Sequence, residues 1–229
     1  MPARTRGARR VQRVSPLRDP KPPRLPESLS PASPADRELT HDGKYLSLAF
    51  GPERVTGADT ENVEVERCRF TGGTLAGSLV RAEITDAELT GCDLANLKLR
   101  DSHVSTTAVL DCRMTGMRLD DGALREVLFT GCRADLASFR FAQLREVVFR
   151  DCNLSEANFQ NVELTRVQFE RCTLTAAQFS GARLAQVRFS GCDLSGIGGI
   201  GSLKGAIMSR ADAAAALDQF AAALGITID

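Results

Sequence analysis

The sequence predicts an all-β solenoid, a chain wound into a square rod of stacked coils. Three observations carry that expectation. Six of the seven cysteines, Cys92, Cys112, Cys132, Cys152, Cys172 and Cys192, recur every twenty residues. Inside that spacing a large apolar residue recurs every five: Phe139, Leu144, Phe149, Leu154, Phe159, Leu164, Phe169, Leu174, Phe179, Leu184, Phe189 and Leu194. Two residues before each of these (position i) stands a small or compact apolar side chain, such as Ala137, Ala142, Val147, Cys152 or Ala157. A period of five fits neither the 3.6 of a helix nor the 2 of a strand. It fits a chain that turns a corner every five residues, so that four units close one coil. Residues twenty apart then superimpose about 4.8 Å apart and share backbone hydrogen bonds. Positions i and i−2 point inward; the other three face water.

The elements follow in chain order. Residues 1–26 set eight Arg or Lys against Asp19 alone, and all nine prolines lie between Pro2 and Pro52. Residues 1–36 are therefore expected to be a disordered basic tail. Its cations, Arg4, Arg6, Arg9, Arg10, Arg13, Arg18, Lys21 and Arg24, make it a candidate nucleic-acid arm, with a solubilising tail as the plainer reading. Residues 37–60 carry Leu39, Tyr45, Leu46, Leu48 and Phe50 and are expected to cap the first coil.

Residues 61–199 form the repeat itself, about seven coils and a rod on the order of 30 Å long. Its phase is unbroken from Leu79 to Leu194, but Leu75 to Leu79 is a step of four. Either a corner tightens there or a short loop is extruded, and a loop would return Cys68 to the cysteine file. Val104, Val109 and Met114 at i, with Ser102 and Thr107 at i−2, predict looser coils between Leu94 and Leu124, and Ala134 predicts a local thinning. Residues 200–229 hold a helix from Ser209 to Leu224, with Gly225 as its stop. Its apolar face, Ala213, Leu217, Phe220 and Leu224, either caps the last coil or pairs with a second copy.

Cys92-Asp-Leu, Cys152-Asn-Leu, Ala157-Asn-Phe and Cys192-Asp-Leu match the consensus A-(D/N)-L-x-x. Over about residues 61–199 the chain resembles the pentapeptide-repeat proteins. The resemblance implies a right-handed quadrilateral parallel β-helix and, as in related members, a homodimer through the C-terminal helix. It also implies one class of partner: some members mimic duplex DNA and bind type II topoisomerases, protecting gyrase from quinolones. A DNA-like field needs sustained negative potential. Residues 61–195 instead hold sixteen basic and nineteen acidic side chains, with arginines throughout the second half.

The sequence offers no chemistry of its own. His41 and His103 are the only histidines, and no glycine-rich phosphate loop joins a strand to a helix. A uniform rod is convex and gathers no triad. Stacked parallel thiols have poor disulfide geometry and no acid or His beside them for a metal. We expect no enzyme, no cofactor and no metal, and a reducing, cytoplasmic setting; no apolar run is long enough for a membrane span or signal peptide. What remains is surface, and hence a protein partner of unknown identity. Leu128 and Val148 at i−1, with Leu136 and Phe141 at i+2, are apolar where water is expected and form the candidate patch. Alternatively Leu136 folds inward over Ala134. Arg125 and Arg145 are expected to pair sideways with Glu126 and Glu146.

Overall fold

The computed structural model describes residues 17–228. Their backbone winds into a parallel β-solenoid of about nine turns. Register follows the twenty-residue ruler along the strands His103–Leu110, Ala123–Thr130 and Gln143–Arg150, where Val104 pairs with Leu124, Leu124 with Leu144, and Phe129 with Phe149. Corners fall at i+2, where the backbone enters the left-handed region at Asp86, Asp101, Asp121, Asp151 and Asn161, and at Gly91, Gly131 and Gly191. Glycine adopts this conformation freely, and Asn and Asp tolerate it better than other residues. Each corner amide donates to the next coil, as Asp111 N–H does to the Thr130 carbonyl at 2.9 Å.

The interior is a stack of rings. Phe129, Phe149, Phe169 and Phe189 stand in file with centroids 4.8, 5.2 and 4.9 Å apart. Phe139, Phe159 and Phe179 form a second file at 5.0 and 4.8 Å. The files meet edge to face, Phe159 lying 6.2 Å from Phe149 and 5.7 Å from Phe169, a geometry the ring quadrupole favours. Where side chains shrink, the core opens: a void of about 40 Å³ lies among residues including Val104, Thr107, Val109, Met114 and Met117. The hydroxyls buried nearby are satisfied. Ser102 Oγ accepts from Ala82 N–H at 3.0 Å, and Thr107 Oγ1 donates to the Ser105 carbonyl at 2.8 Å.

The N-terminal end departs from expectation. Residues 37–60 do not lie over the first coil but supply coils themselves. Lys44–Leu46, Leu48–Phe50 and Arg54–Glu61 are strands, with Tyr45 on Val65, Phe50 on Phe70 and Val55 on Leu75. The count accordingly rises from seven coils to about nine. Thr60 concealed the phase: it takes a large inward position, 2% exposed, its Oγ1 donating to the Leu39 carbonyl at 3.3 Å. Pro52 is no barrier because it stands at a corner, between two of these strands.

The four-residue step is a tightened corner. Val65 pairs with Ile84 and Phe70 with Leu89, nineteen residues on, while Leu79 pairs with Leu99, twenty on. No loop is extruded, so Cys68 stays out of the cysteine file and stands beneath Ala87, two residues before the Phe70–Leu89 pair. Burial pushes its thiol pKa up.

At the other end the predicted helix forms in two pieces, α1 (Arg210–Ala215) and α2 (Leu217–Ala223), joined at Ala216. Ser209 caps α1 as expected, its Oγ accepting from Asp212 N–H at 3.0 Å. The buried Asp212 carboxylate in turn accepts from Gly191 N–H at 3.0 Å and Cys192 N–H at 3.1 Å. These are donors of the last full coil, with no further coil to receive them. Asp212→Ala strands both, and is expected to cost about 1–3 kcal/mol. Chemical denaturation together with faster hydrogen exchange confined to residues 187–194 would show it; unchanged exchange there would remove the capping role.

Candidate functional site

The outer surface is written by i−1, i+1 and i+2. Many of its charges pair along the rod, from coil to coil: Arg113 to Asp93 at 3.1 Å, Arg171 to Asp151 at 2.7 Å, Arg183 to Glu163 at 2.9 Å and Arg150 to Glu170 at 2.7 Å. Arg81–Glu61 and Arg166–Glu146 follow the same rule. The Arg171 guanidinium holds the Asp151 carboxyl below the usual carboxylate range. Such exposed pairs add little stability, but they cancel charge file by file. The sideways pairing expected of Arg125 and Arg145 is absent from the described ion pairs; Glu146 takes Arg166, and Glu126 takes Lys21 at 3.1 Å. Pairing within a coil does occur elsewhere, as between Arg118 and Asp120 at 2.6 Å and Arg133 and Asp135 at 3.2 Å.

The four-residue apolar patch does not hold together. Val148 is 1% exposed and Leu128 half-buried, so neither offers a free surface. Leu136 and Phe141 stand out at 54% and 49% exposure, on successive corners of one coil. Leu136 therefore does not fold inward over Ala134. Both hold left-handed backbone, at φ 59°. The Arg140 guanidinium carbon lies 5.2 Å from the Phe141 ring centroid, within cation–π range.

Of the arm, Arg4, Arg6, Arg9, Arg10 and Arg13 lie outside the described residues. The remainder is ordered rather than disordered, because the rod supplies its partners. Asp19 Oδ1 accepts from Arg150 Nη2 at 2.8 Å, Lys21 binds Glu126, and Arg24 N–H donates to Asp86 Oδ1 at 3.0 Å. Arg18 is exposed. Farther on, Ser33 and Asp36 close a capping box on a short 3-10 turn, Pro34–Arg37.

The C-terminal face also differs from its prediction. Asp212, Ala216 and Ala221 are buried and Phe220 packs against the core, whereas Ala213 is half-buried and Leu217 and Leu224 are 54% and 76% exposed. The break at Ala216 rotates α2 and splits the single stripe that a continuous helix would present.

All seven cysteines are buried and free. All but the Cys152 thiol donate to carbonyls of the preceding coil, among them Cys132 to Val109, Cys172 to Phe149 and Cys192 to Phe169, each of these three at 3.3 Å, while Cys152 donates to the Arg150 carbonyl at 3.2 Å. His103 is exposed, and His41 Nδ1 accepts from Glu61 N–H at 3.2 Å. Among the described residues no group of three or more His, Cys, Asp or Glu is placed to hold a metal ion, and no helix is long and apolar enough to cross a membrane.

Residues 82–159 match a family model described as a pentapeptide repeat region, and residues 152–191 one described as pentapeptide repeats in eight copies. Among solved structures the chain is similar to a trypsin-treated form of QnrB1, a plasmid-mediated fluoroquinolone resistance protein. Identity is 20%, the TM-score 0.46, and the match covers 82% of this chain and 100% of that one. It is also similar to HetL, a pentapeptide repeat protein involved in heterocyst differentiation regulation from the cyanobacterium Nostoc sp. strain PCC 7120. There identity is 20% and the TM-score 0.35, over 73% of this chain and 90% of that one. Rfr23 from the cyanobacterium Cyanothece 51142 follows at 12% identity and a TM-score of 0.25, over 76% and 92%. No curated protein sequence matches significantly. Likeness at this level concerns the fold alone.

Proposed function

Because residues 82–191 belong to the pentapeptide-repeat family, we propose that the chain is a non-catalytic scaffold that binds a protein partner through the surface of the rod. One observation carries this reading. Leu136 and Phe141 occupy left-handed corners that neighbouring coils fill with Asp121, Glu156 and Asn161. A bulky side chain held there costs about 1–2 kcal/mol in backbone strain and leaves apolar surface in water. Neither residue contributes to the core, so the cost serves the surface. The filled interior agrees, since it leaves no room for a small-molecule substrate.

The test is capture from the native host, comparing wild type with Leu136→Asn plus Phe141→Asn. These substitutions restore ordinary corner residues, so the variant should melt no lower than wild type while losing the partner. An unchanged set of captured proteins would defeat the reading. Modulation of a type II topoisomerase such as gyrase by DNA mimicry is the alternative. The coil-to-coil charge pairs weigh against it, because they leave the field along the paired files close to neutral. The exposed Leu217 and Leu224 keep pairing with a second copy as a proposal.

A further inference from the structure

A polyproline II segment repeats every three residues and makes no internal hydrogen bonds. The described start of the chain has that period: Leu17, Pro20 and Pro23 are half-buried, while Arg18, Asp19, Lys21 and Pro22 are exposed. The segment runs lengthwise over the coils. Its successive anchors are Arg150 for Asp19, Glu126 for Lys21 and Asp86 for the Arg24 amide. Glu126 and Asp86 belong to one corner file, so the strap crosses the coils against their order of winding.

The face beside that file is unlike the others. Its i−1 positions point outward, yet Ala108 is 9% exposed, Val148 1% and Gln168 4%, and Leu128 is half-buried. These four pair in register as one file. On another face the corresponding positions, His103, Gln143, Glu163 and Arg183, are open to solvent. A sheet face that carries apolar groups outward, flanked by Glu126, Glu146 and Arg150, is matched to an apolar spine with charges between its contacts.

We propose that this face is a groove for an extended, proline-spaced basic peptide, and that residues 17–24 occupy it in cis, holding off a competing peptide of the same pattern. Prolines lower the ordering cost of such a ligand. Its partly exposed ion pairs are individually weak, so the tether, through high effective concentration, keeps the strap in place. A peptide of this chemistry that displaces the strap takes its place over Leu128 and Val148. The inference rests on the scaffold reading for its purpose but not for its chemistry.

The experiment uses the full-length chain and a fluorescent peptide of residues 17–26. Asp19→Ser plus Lys21→Glu removes both side-chain anchors without touching the core. Fluorescence anisotropy should show the peptide binding this variant at least about tenfold tighter than wild type, because the tethered competitor has been weakened. Trypsin should cut after Arg24 faster in the variant than in wild type. A peptide with Leu17, Pro20 and Pro23 all changed to Ser should bind neither form. Equal peptide affinity for the two proteins, equal cleavage, or undiminished binding of the serine peptide would each overturn the proposal. Those outcomes leave the Leu136 and Phe141 experiment untouched, so failure here is distinct from failure of the scaffold reading.

Discussion

Phe159→Ala is expected to lower unfolding free energy by about 3–5 kcal/mol, the range for truncating a fully buried aromatic. The ring is 0% exposed. It stacks on Phe139 at 5.0 Å and Phe179 at 4.8 Å, and meets Phe149 and Phe169 edge-on. Four rings therefore lose a partner together, and the backbone ladders on every wall restrain the collapse that would close the hole. Phe141→Ala supplies the contrast. That ring is 49% exposed, and its loss should move stability by no more than about 0.5 kcal/mol. Urea titration of both variants separates the cases; equal midpoints would contradict the inward and outward assignment on which the fold description rests. Because a solenoid is stabilised by nearest-neighbour contacts, the Phe159→Ala transition should also broaden as the coils on either side uncouple.

Gly77→Ala is expected to be comparably damaging for a different reason. The tightened corner brings two backbones together, and a Cβ on Gly77 would lie 2.0 Å from the Gly57 carbonyl oxygen. Its φ of 117° is also foreign to residues with a side chain. Strain and overlap together should cost about 3–5 kcal/mol. Gly91→Ala is the matched control. Its φ is 63°, and nothing lies within 4 Å of the added Cβ, so only left-handed strain applies, about 1–2 kcal/mol. Thermal melts of the two variants should differ clearly. Similar melting temperatures would mean that the corner relaxes and that the nineteen-residue coil is not fixed by close approach.

Much of the fold was legible because repetition averages over local exceptions. Phe149, Val147 and Cys152 each recur in phase with residues twenty away, and a single reading frame places all of them. Legibility ended where the pattern met one atypical residue. Thr60 at an inward position was enough to conceal the coils from Tyr45 to Val55, and the four residues from Leu75 to Leu79 fitted two geometries equally well. Asp212 shows a signal that was present but unread. It lies twenty residues after Cys192 and receives the Cys192 amide at 3.1 Å, as Cys112 Sγ receives that of Cys92 at 3.3 Å. The cysteine file thus ends in a carboxylate that stands in for the next coil.

The surface was harder to read, for a physical reason. Leu128 and Val148 are correctly out of place as solvent-facing residues, but periodicity cannot say whether another segment lies over them. The tail looked unable to fold, since it has no core of its own. Its described part, from residue 17 onward, borrows partners more than sixty residues away, such as Asp86 for Arg24.

The sequence by itself determined the winding: five-residue corners, twenty-residue coils, and, from Leu79 to Leu194, a core whose i and i−2 positions are assigned by period alone. Periods are local and repeated, so they survive without coordinates. Only the tertiary structure decided the one-off contacts. These are the nineteen-residue coil at Gly77, the strap on Glu126 and Arg150, and the rotation of α2 that buries Ala221 and leaves Leu224 in water. Each depends on which unrelated segments meet in space, and no repeat unit encodes that.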